Sequence, residues 1–174
     1  MNYLNKVLGL LVMACFVATP VDSIAQKRKK RKADTETIEW RYELEMMNVA
    51  SAGSKQVKVW SYSKFPETAQ EQAKKNAIHG VCFRGVGGGG RTAGLDPLVS
   101  ASAEKEHEAF FKEFFADGGG YLRYVNLSGD NMIGPGDMVK VGKKEYKVGV
   151  VISVAYNDLR KRLESEGIVK KLGF

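Results

Sequence analysis

The sequence predicts an α+β fold, a mainly antiparallel sheet with two or three helices packed on one face. Apolar residues alternate strictly from Ile38 to Met46, strand-like segments follow one another along the chain, and alanines recur every fourth residue from Ala69 to Ala77. The predicted order is β-β-α-β, then a glycine-rich loop and a helix, then β-β-β-α. Strands joined as hairpins pair antiparallel, which sets the predicted direction of the sheet.

The folded part is predicted to begin with two strands. Trp40, Tyr42 and Leu44 alternate with charged residues, which predicts a strand with one buried side and one solvent-facing side. A turn is predicted at residues 51–54. The segment from Val57 to Tyr62 predicts the antiparallel partner of the first strand.

A helix is predicted to follow from Pro66 to Gly80. Proline at the first helical position loses no hydrogen bond, and glycine is a common helix stop. The alanines of this segment predict a small-residue face against the sheet. The apolar run from Val81 to Val86 then predicts a third strand.

The C-terminal half is predicted to hold a second helix, three strands and a last helix. Ser102 is the predicted cap of the second helix, and Asn157 of the last one. The strands are predicted over Tyr121–Leu127, Met138–Val141 and Tyr146–Val154. In the second helix an apolar face of Phe110, Phe111, Phe114 and Phe115 is predicted to lie opposite Glu104, Lys105, Glu108 and Lys112.

Residues 1–25 predict a secretory signal peptide. Lys6 precedes an apolar stretch, and Ser23 and Ala25 put small residues at positions −3 and −1 of a peptidase site. The apolar stretch is too short to span the ~30 Å of bilayer hydrocarbon. The signal therefore predicts an exported protein of the periplasm or cell surface.

The two cysteines lie in different predicted segments. Residues 12–15 resemble a lipobox, so the alternative to soluble export is a lipoprotein anchored through Cys15. The other cysteine, Cys82, lies in an apolar run and is predicted to be a buried, unreactive thiol.

Most of the positive charge lies in one short segment. The net charge is +7, and residues 27–32 contribute +6 of it. Because this run repels itself and has no apolar side chain to bury, residues 26–35 are predicted to form a basic disordered linker before a single domain over 36–174. Behind an export signal, the run predicts a solvated linker or a tether to an anionic membrane or polysaccharide, and no nucleic acid is expected. The tether residues are Lys27, Arg28, Lys29, Lys30, Arg31 and Lys32.

One glycine-rich motif resembles a phosphate-binding loop. Gly85–Thr92 has the spacing of a P-loop except that Arg91 replaces the lysine. Gly94 and Pro97 oppose the helix that such a loop needs directly after it. We therefore predict a flexible loop here and no cofactor.

The two histidines do not predict a metal site. Glu104 and His107 have Glu-x-x-His spacing, but di-metal bundles need two such copies and two further glutamates. His107 is predicted to be a surface histidine. His79 is predicted to stand at the end of the alanine-rich helix, where a cation suits the helix dipole, and to have no ligand role.

Five segments stand out together, namely Trp40-x-Tyr42-x-Leu44 and residues 57–64, 72–80, 114–119 and 148–154. Together they resemble an exported Bacteroidetes family of unassigned function. More distantly, a strand leading into an alanine-periodic helix, with a late strand–helix ending, is similar to small periplasmic domains of the flagellar-assembly-protein-T N-terminal kind. Neither resemblance implies catalytic residues.

These observations favour a non-enzymatic binding or accessory domain of the cell envelope, with a protein or a glycan as partner. The predicted binding surface consists of Trp60, Tyr62 and Arg91. No spacing in the sequence pairs a nucleophile with a base, so catalytic residues are not predicted and enzyme activity is left open. The alternative is a hydrolase of envelope or surface glycans, whose two carboxylates would meet only in the fold.

Overall fold

A computed structural model of the protein describes residues 21–37, 40–51, 53–90, 92–128, 133–134 and 136–171. Several predicted features lie outside these residues. One is the stretch of residues 1–20 of the predicted signal peptide, with Cys15 in it. The others are the start of the first predicted strand, at Ile38, and Arg91 of the predicted binding surface.

A five-stranded antiparallel sheet forms the centre of the fold. Its strands are β1 (Tyr42–Ser51), β2 (Ser54–Ser63), β3 (Val125–Leu127), β4 (Met138–Lys140) and β5 (Tyr146–Val154). The order is β1-β2-β5-β3, and β4 pairs with β5 on the same edge as β3. The predicted α+β fold class with a mainly antiparallel sheet is confirmed.

The side chains of β1 and β2 alternate between core and solvent, as predicted. In β1, Tyr42 and Met46 are buried, whereas Glu43 and Glu45 are exposed. Trp40 was predicted within this strand but lies just before it. The fully buried residues that β2 and β5 contribute to the core include Val57, Val59, Val148, Ile152 and Val154.

The helices are α1 (Val21–Thr37), α2 (Pro66–His79), α3 (Ala101–Glu106), α4 (Glu108–Phe114) and α5 (Tyr156–Ser165). Helix α2 packs on β2 and β5. Ala69, Ala73 and Ala77 are fully buried there, which confirms the predicted small-residue face. Short side chains at this spacing let the helix lie close to the sheet.

The predicted third strand over residues 81–86 is wrong. Gly80 has right-handed helical angles and continues the chain into a π-helical turn, Gly80–Arg84, which Gly85 ends with a positive φ. Val81 and Cys82 are fully buried in this turn. A short run of apolar residues is compatible with a buried strand and with a buried helix, so the periodicity of this segment could not distinguish the two structures.

The C-terminal half follows the prediction in outline. Ser100, rather than Ser102, caps α3, and one predicted helix is divided into α3 and α4 at His107. The predicted strand over residues 121–127 is a 3₁₀ turn, Gly120–Tyr124, followed by the short β3. The predicted hairpin is present as β4 and β5.

The basic run, predicted to be a disordered linker, is helical in this structure. It lies within α1, which packs against α2. Lysine and arginine are good helix formers, and α1 contains neither glycine nor proline. Ala33 is buried, and the ammonium group of Lys32 lies 4.5 Å from the ring centre of Phe65. These contacts supply the anchoring that the composition alone does not show.

Candidate functional site

A concave pocket with aromatic walls lies where the start of β1, the end of α2 and helices α3 and α4 meet. Its volume is about 240 Å³. We call it the aromatic pocket. It is lined by Trp40, His79, Phe83, Glu104, Glu108, Phe111, Lys112 and Phe115.

Four different elements bring the aromatic walls together. Trp40 precedes β1, and His79 is the last residue of α2. The π-helical turn carries Phe83, whose ring centre lies 5.0 Å from that of His79 and 4.8 Å from that of Phe111. Phe115, directly after α4, lies with its ring centre 5.6 Å from that of Trp40. The pocket therefore depends on the turn that replaces the predicted third strand.

Trp40 forms one wall in a strained conformation. Its indole stacks on the imidazole of His79, with ring centres 3.5 Å apart and an interplanar angle of 16°. Among the described residues it is the one non-glycine residue with a positive φ, 46°. Such a backbone costs on the order of 1–3 kcal/mol and persists only where surrounding contacts hold it, often at functional sites.

His79 forms the floor as a neutral imidazole. It is buried, and its Nδ1 is hydrogen-bonded to the Tyr42 hydroxyl at 2.6 Å. Burial lowers the pKa of His79 to about 3, and the nearby guanidinium of Arg84 adds to this effect. His79 is therefore not the cation that was predicted at the helix end.

Tyr42, the buried hydrogen-bond partner of His79, is also held uncharged. Burial raises the pKa of the Tyr42 phenol above its ordinary value, against a smaller opposing effect of Arg84. That guanidinium lies over the Tyr42 ring, 4.5 Å from its centre. Neither Tyr42 nor His79 thus changes charge near neutral pH.

The carboxylates of Glu104 and Glu108 lie at the mouth of the pocket. The prediction that they lie opposite the phenylalanine face is wrong, because they line the same pocket as Phe111 and Phe115. Both glutamates are exposed, and neither forms an ion pair with another described residue. Among the described residues, therefore, no cation neutralises either carboxylate at the mouth by direct contact.

The predicted surface residues Trp60 and Tyr62 lie elsewhere, on the side of the sheet away from α2. Both are half-buried on β2. Trp60 lies against Gly149 of β5, where a Cβ atom would come within 2.8 Å of the indole. We call this region the outer sheet face. It includes Arg41, Glu43, Lys58, Trp60, Tyr62, Asp137, Glu145 and Lys147.

The charged side chains of the outer sheet face form ion pairs and hydrogen bonds with one another. The Tyr62 hydroxyl donates to Glu43 at 2.6 Å, and the Lys147 ammonium donates to the same carboxylate at 2.7 Å. The bond from Lys147, with that from Tyr62, holds the pKa of Glu43 below its usual range. Cations also cover the rings, since Arg41 lies 4.2 Å from the centre of Tyr62 and Lys58 4.7 Å from that of Trp60.

The glycine-rich motif lies along the edge of β1. The Met46 amide donates to the Gly87 carbonyl at 2.9 Å, and Val86 exchanges hydrogen bonds with Leu95. At Gly89, a Cβ atom would come within 2.3 Å of the Met46 carbonyl oxygen. Residues 92–100 are not helical, so the helix that a phosphate loop requires is not found in this segment. Of these glycines, Gly89 serves close packing against the strand.

The remaining predicted residues do not converge on a second site. Cys82 is a fully buried free thiol whose pKa is raised by burial, as expected for a packing residue. His107 is half-buried at the break between α3 and α4. Within the described segments there is no cluster of potential metal ligands, and no helix is long and apolar enough to cross a membrane.

The pocket could have been found only in part from the sequence. Glu104, Glu108, Phe111 and Phe115 are spaced by four, three and four residues, which is the spacing of one helical face. The spacing of residues in the sequence does not indicate the other two walls, Trp40 and Phe83. Trp40 alternates correctly for a strand, and Phe83 depends on the π-helical turn.

Comparisons of the chain with models of protein families, with curated proteins and with solved structures found no match. The resemblances to an exported Bacteroidetes family and to flagellar assembly protein T domains stay predictions.

Proposed function

We propose that this protein is a non-enzymatic binding domain of the bacterial cell envelope and that the aromatic pocket is its binding site. The observation that carries the proposal is Trp40, held with a positive φ so that its indole forms a wall of a concave site. Concave pockets with apolar walls and a few polar groups at the mouth are the usual form of small-ligand sites.

The chemistry of the pocket supports binding more than proton transfer. A general acid or base works best with a pKa near the working pH. The pKa of His79 is far below that range, and that of Tyr42 is raised by burial. His79 shapes the floor, and Tyr42 holds it by a hydrogen bond, without either group exchanging protons near neutral pH.

The outer sheet face is the rival surface, because Trp60 and Tyr62 were predicted to bind. Its rings already contact the cations of the same sheet, and its carboxylates already accept hydrogen bonds. A ligand there would have to displace those contacts. In the aromatic pocket no described lysine or arginine lies over Trp40, Phe83, Phe111 or Phe115.

A pair of matched variants separates the two surfaces. Phe115→Ala removes a wall of the aromatic pocket, and Trp60→Phe changes the outer sheet face alone. We expect Phe115→Ala to weaken retention on isolated envelopes about tenfold and Trp60→Phe to leave it unchanged; tenfold corresponds to about 1.4 kcal/mol. Circular dichroism checks that both variants fold. Retention lost in Trp60→Phe but kept in Phe115→Ala would contradict the assignment of the pocket.

A second candidate function is glycan hydrolysis. Its supporting observation is that Glu104 and Glu108 line one pocket together with aromatic rings, and glycosidases use two carboxylates in one site. Release of reducing sugar from envelope glycans that is abolished by Glu104→Gln or Glu108→Gln would favour this function. Binding with no release of sugar would favour the first proposal.

A further inference from the structure

The rings of the aromatic pocket differ from those of Tyr42, Trp60 and Tyr62 in what lies over them. Outside the pocket, Tyr42, Trp60 and Tyr62 each have an arginine or lysine of the same chain against the ring. Among the described residues, no such group lies over Trp40 or Phe83. The face of an aromatic ring attracts cations, and that of indole most strongly.

The charged groups around the pocket favour a cationic occupant. Glu104 and Glu108 supply two carboxylates at the mouth, whereas Lys112 supplies one ammonium group. The floor adds no positive charge, because His79 is neutral, and the guanidinium of Arg84 lies over Tyr42. The lining residues therefore carry a net negative charge beside rings over which no described lysine or arginine lies.

The volume limits the size of the occupant. At about 240 Å³ the cavity is smaller than the ~300–1,000 Å³ of sites for drug-sized ligands. It has room for a head group of a few heavy atoms whose remainder extends past the carboxylates into solvent.

We propose that the aromatic pocket binds the head group of an organic cation, a substituted ammonium ion. The aromatic rings of Trp40, Phe83 and Phe115 surround the cation, and Glu104 and Glu108 attract it at the mouth. This inference rests on the proposed function, because it names the ligand class of the same pocket.

Choline and its uncharged isostere 3,3-dimethyl-1-butanol test the role of charge, since they have nearly the same shape. Binding is followed by NMR of the indole N–H of Trp40, and that of Trp60 serves as the internal control. We expect choline to shift the Trp40 signal saturably and to bind at least about tenfold more tightly than the isostere. The Trp60 signal should not move.

Charge variants at the mouth give effects of opposite sign. The double variant Glu104→Gln and Glu108→Gln should weaken choline binding about tenfold and leave the isostere unaffected. Lys112→Gln should tighten choline binding, because it removes the one ammonium group that lines the pocket. All three positions are exposed, so these changes leave the packing of the core intact.

Three results would overturn the inference: equal binding of choline and the isostere, equal shifts of both indole signals, or no shift of Trp40 by choline. Each of these leaves the proposed function to its own test, the retention of Phe115→Ala and Trp60→Phe on envelopes. Loss of envelope retention in Phe115→Ala, together with no response to choline, would mean that the pocket binds a ligand of another class.

Discussion

At the scale of single residues, the stacked pair of Trp40 and His79 is the feature on which the site depends. The two residues interact in ways that their sequence contexts do not suggest. Trp40 looks like one more strand residue, because periodicity does not report the sign of φ. His79 looks like a charged helix terminus, because its burial beneath the indole is decided by residues distant in sequence.

The pKa of His79 predicts a pH dependence of stability. The folded protein holds this imidazole neutral down to pH ~3, whereas an unfolded histidine takes up a proton near pH 6.5. Between these values the unfolded state binds more protons, so stability falls as the pH decreases. We expect His79 to account for a loss of about 3 kcal/mol in the free energy of unfolding between pH 7 and pH 4.

Urea unfolding of the wild type and His79→Gln at several pH values measures this contribution. The variant should be less stable at pH 7, because it loses the stacking contact, but its stability should fall less steeply towards pH 4. Parallel curves for the two proteins would show that His79 does not titrate on unfolding in this range.

At the scale of elements, the helices and strands that were predicted correctly are those whose apolar residues recur with a regular period. The hairpin β1–β2, helix α2 and strand β5 each have a period that extends over several residues. The π-helical turn and the break at His107 do not, since each is one local irregularity fixed by tertiary packing. The first of these irregularities places Phe83, one of the two pocket walls for which the sequence has no signal.

In the glycine-rich loop, we expect substitution by alanine to destabilise the protein at Gly89 but hardly at Gly87. An alanine at Gly89 would place its Cβ 2.3 Å from the Met46 carbonyl oxygen, whereas at Gly87 the nearest atom is 3.7 Å away. Neither glycine has a positive φ. We expect Gly89→Ala to lower the free energy of unfolding by about 1–3 kcal/mol and Gly87→Ala to change it by less than about 0.5 kcal/mol.

Thermal and urea unfolding of both variants provides the measurement. Equal destabilisation by the two substitutions would contradict the assignment of a packing role to Gly89. Equal stability with the wild type would contradict it as well.

We expect helix α1 to be attracted to anionic membranes, because the basic run that was predicted to be a tether lies on it. Lys27, Arg28, Lys29, Arg31 and Lys32 are all exposed on it. We expect binding to vesicles that contain phosphatidylserine and none to neutral phosphatidylcholine vesicles. A basic residue near such a surface contributes about 1 kcal/mol at low ionic strength, and salt screens it.

Co-sedimentation with the two kinds of vesicle at several salt concentrations measures this attraction. A variant with glutamine at positions 27, 28 and 29 is the control, because these residues precede the contact of Lys32 with Phe65. Binding that is not weakened in this variant, or that persists at high salt, would argue against an electrostatic tether.

At the scale of the whole molecule, the division into signal, basic segment and domain is the prediction that the fold leaves open. Helix α1 runs through Ala25, the last residue before the proposed cleavage site, and both Ile24 and Ala25 are exposed. Cleavage there would leave the part of α1 that contains Lys32 and Ala33, and thus its contacts with the rest of the protein, in the mature chain.

Mass spectrometry of the protein isolated from its host tests the proposed export. We expect a mature N-terminus at Gln26 and recovery from the periplasm or cell surface. A diacylglycerol-modified N-terminus at Cys15 would instead show a lipoprotein, and an intact Met1 in the cytoplasm would contradict export.

Strand β5 has a consequence for the time at which the protein can fold. It pairs with β2 on one side and with β3 and β4 on the other, yet it comprises residues 146–154 of 174. An isolated hairpin such as β1–β2 is only marginally stable in water. A chain still emerging from the ribosome therefore cannot complete this sheet before residues 146–154 have been synthesised, because β2, β3 and β4 all pair with that one strand.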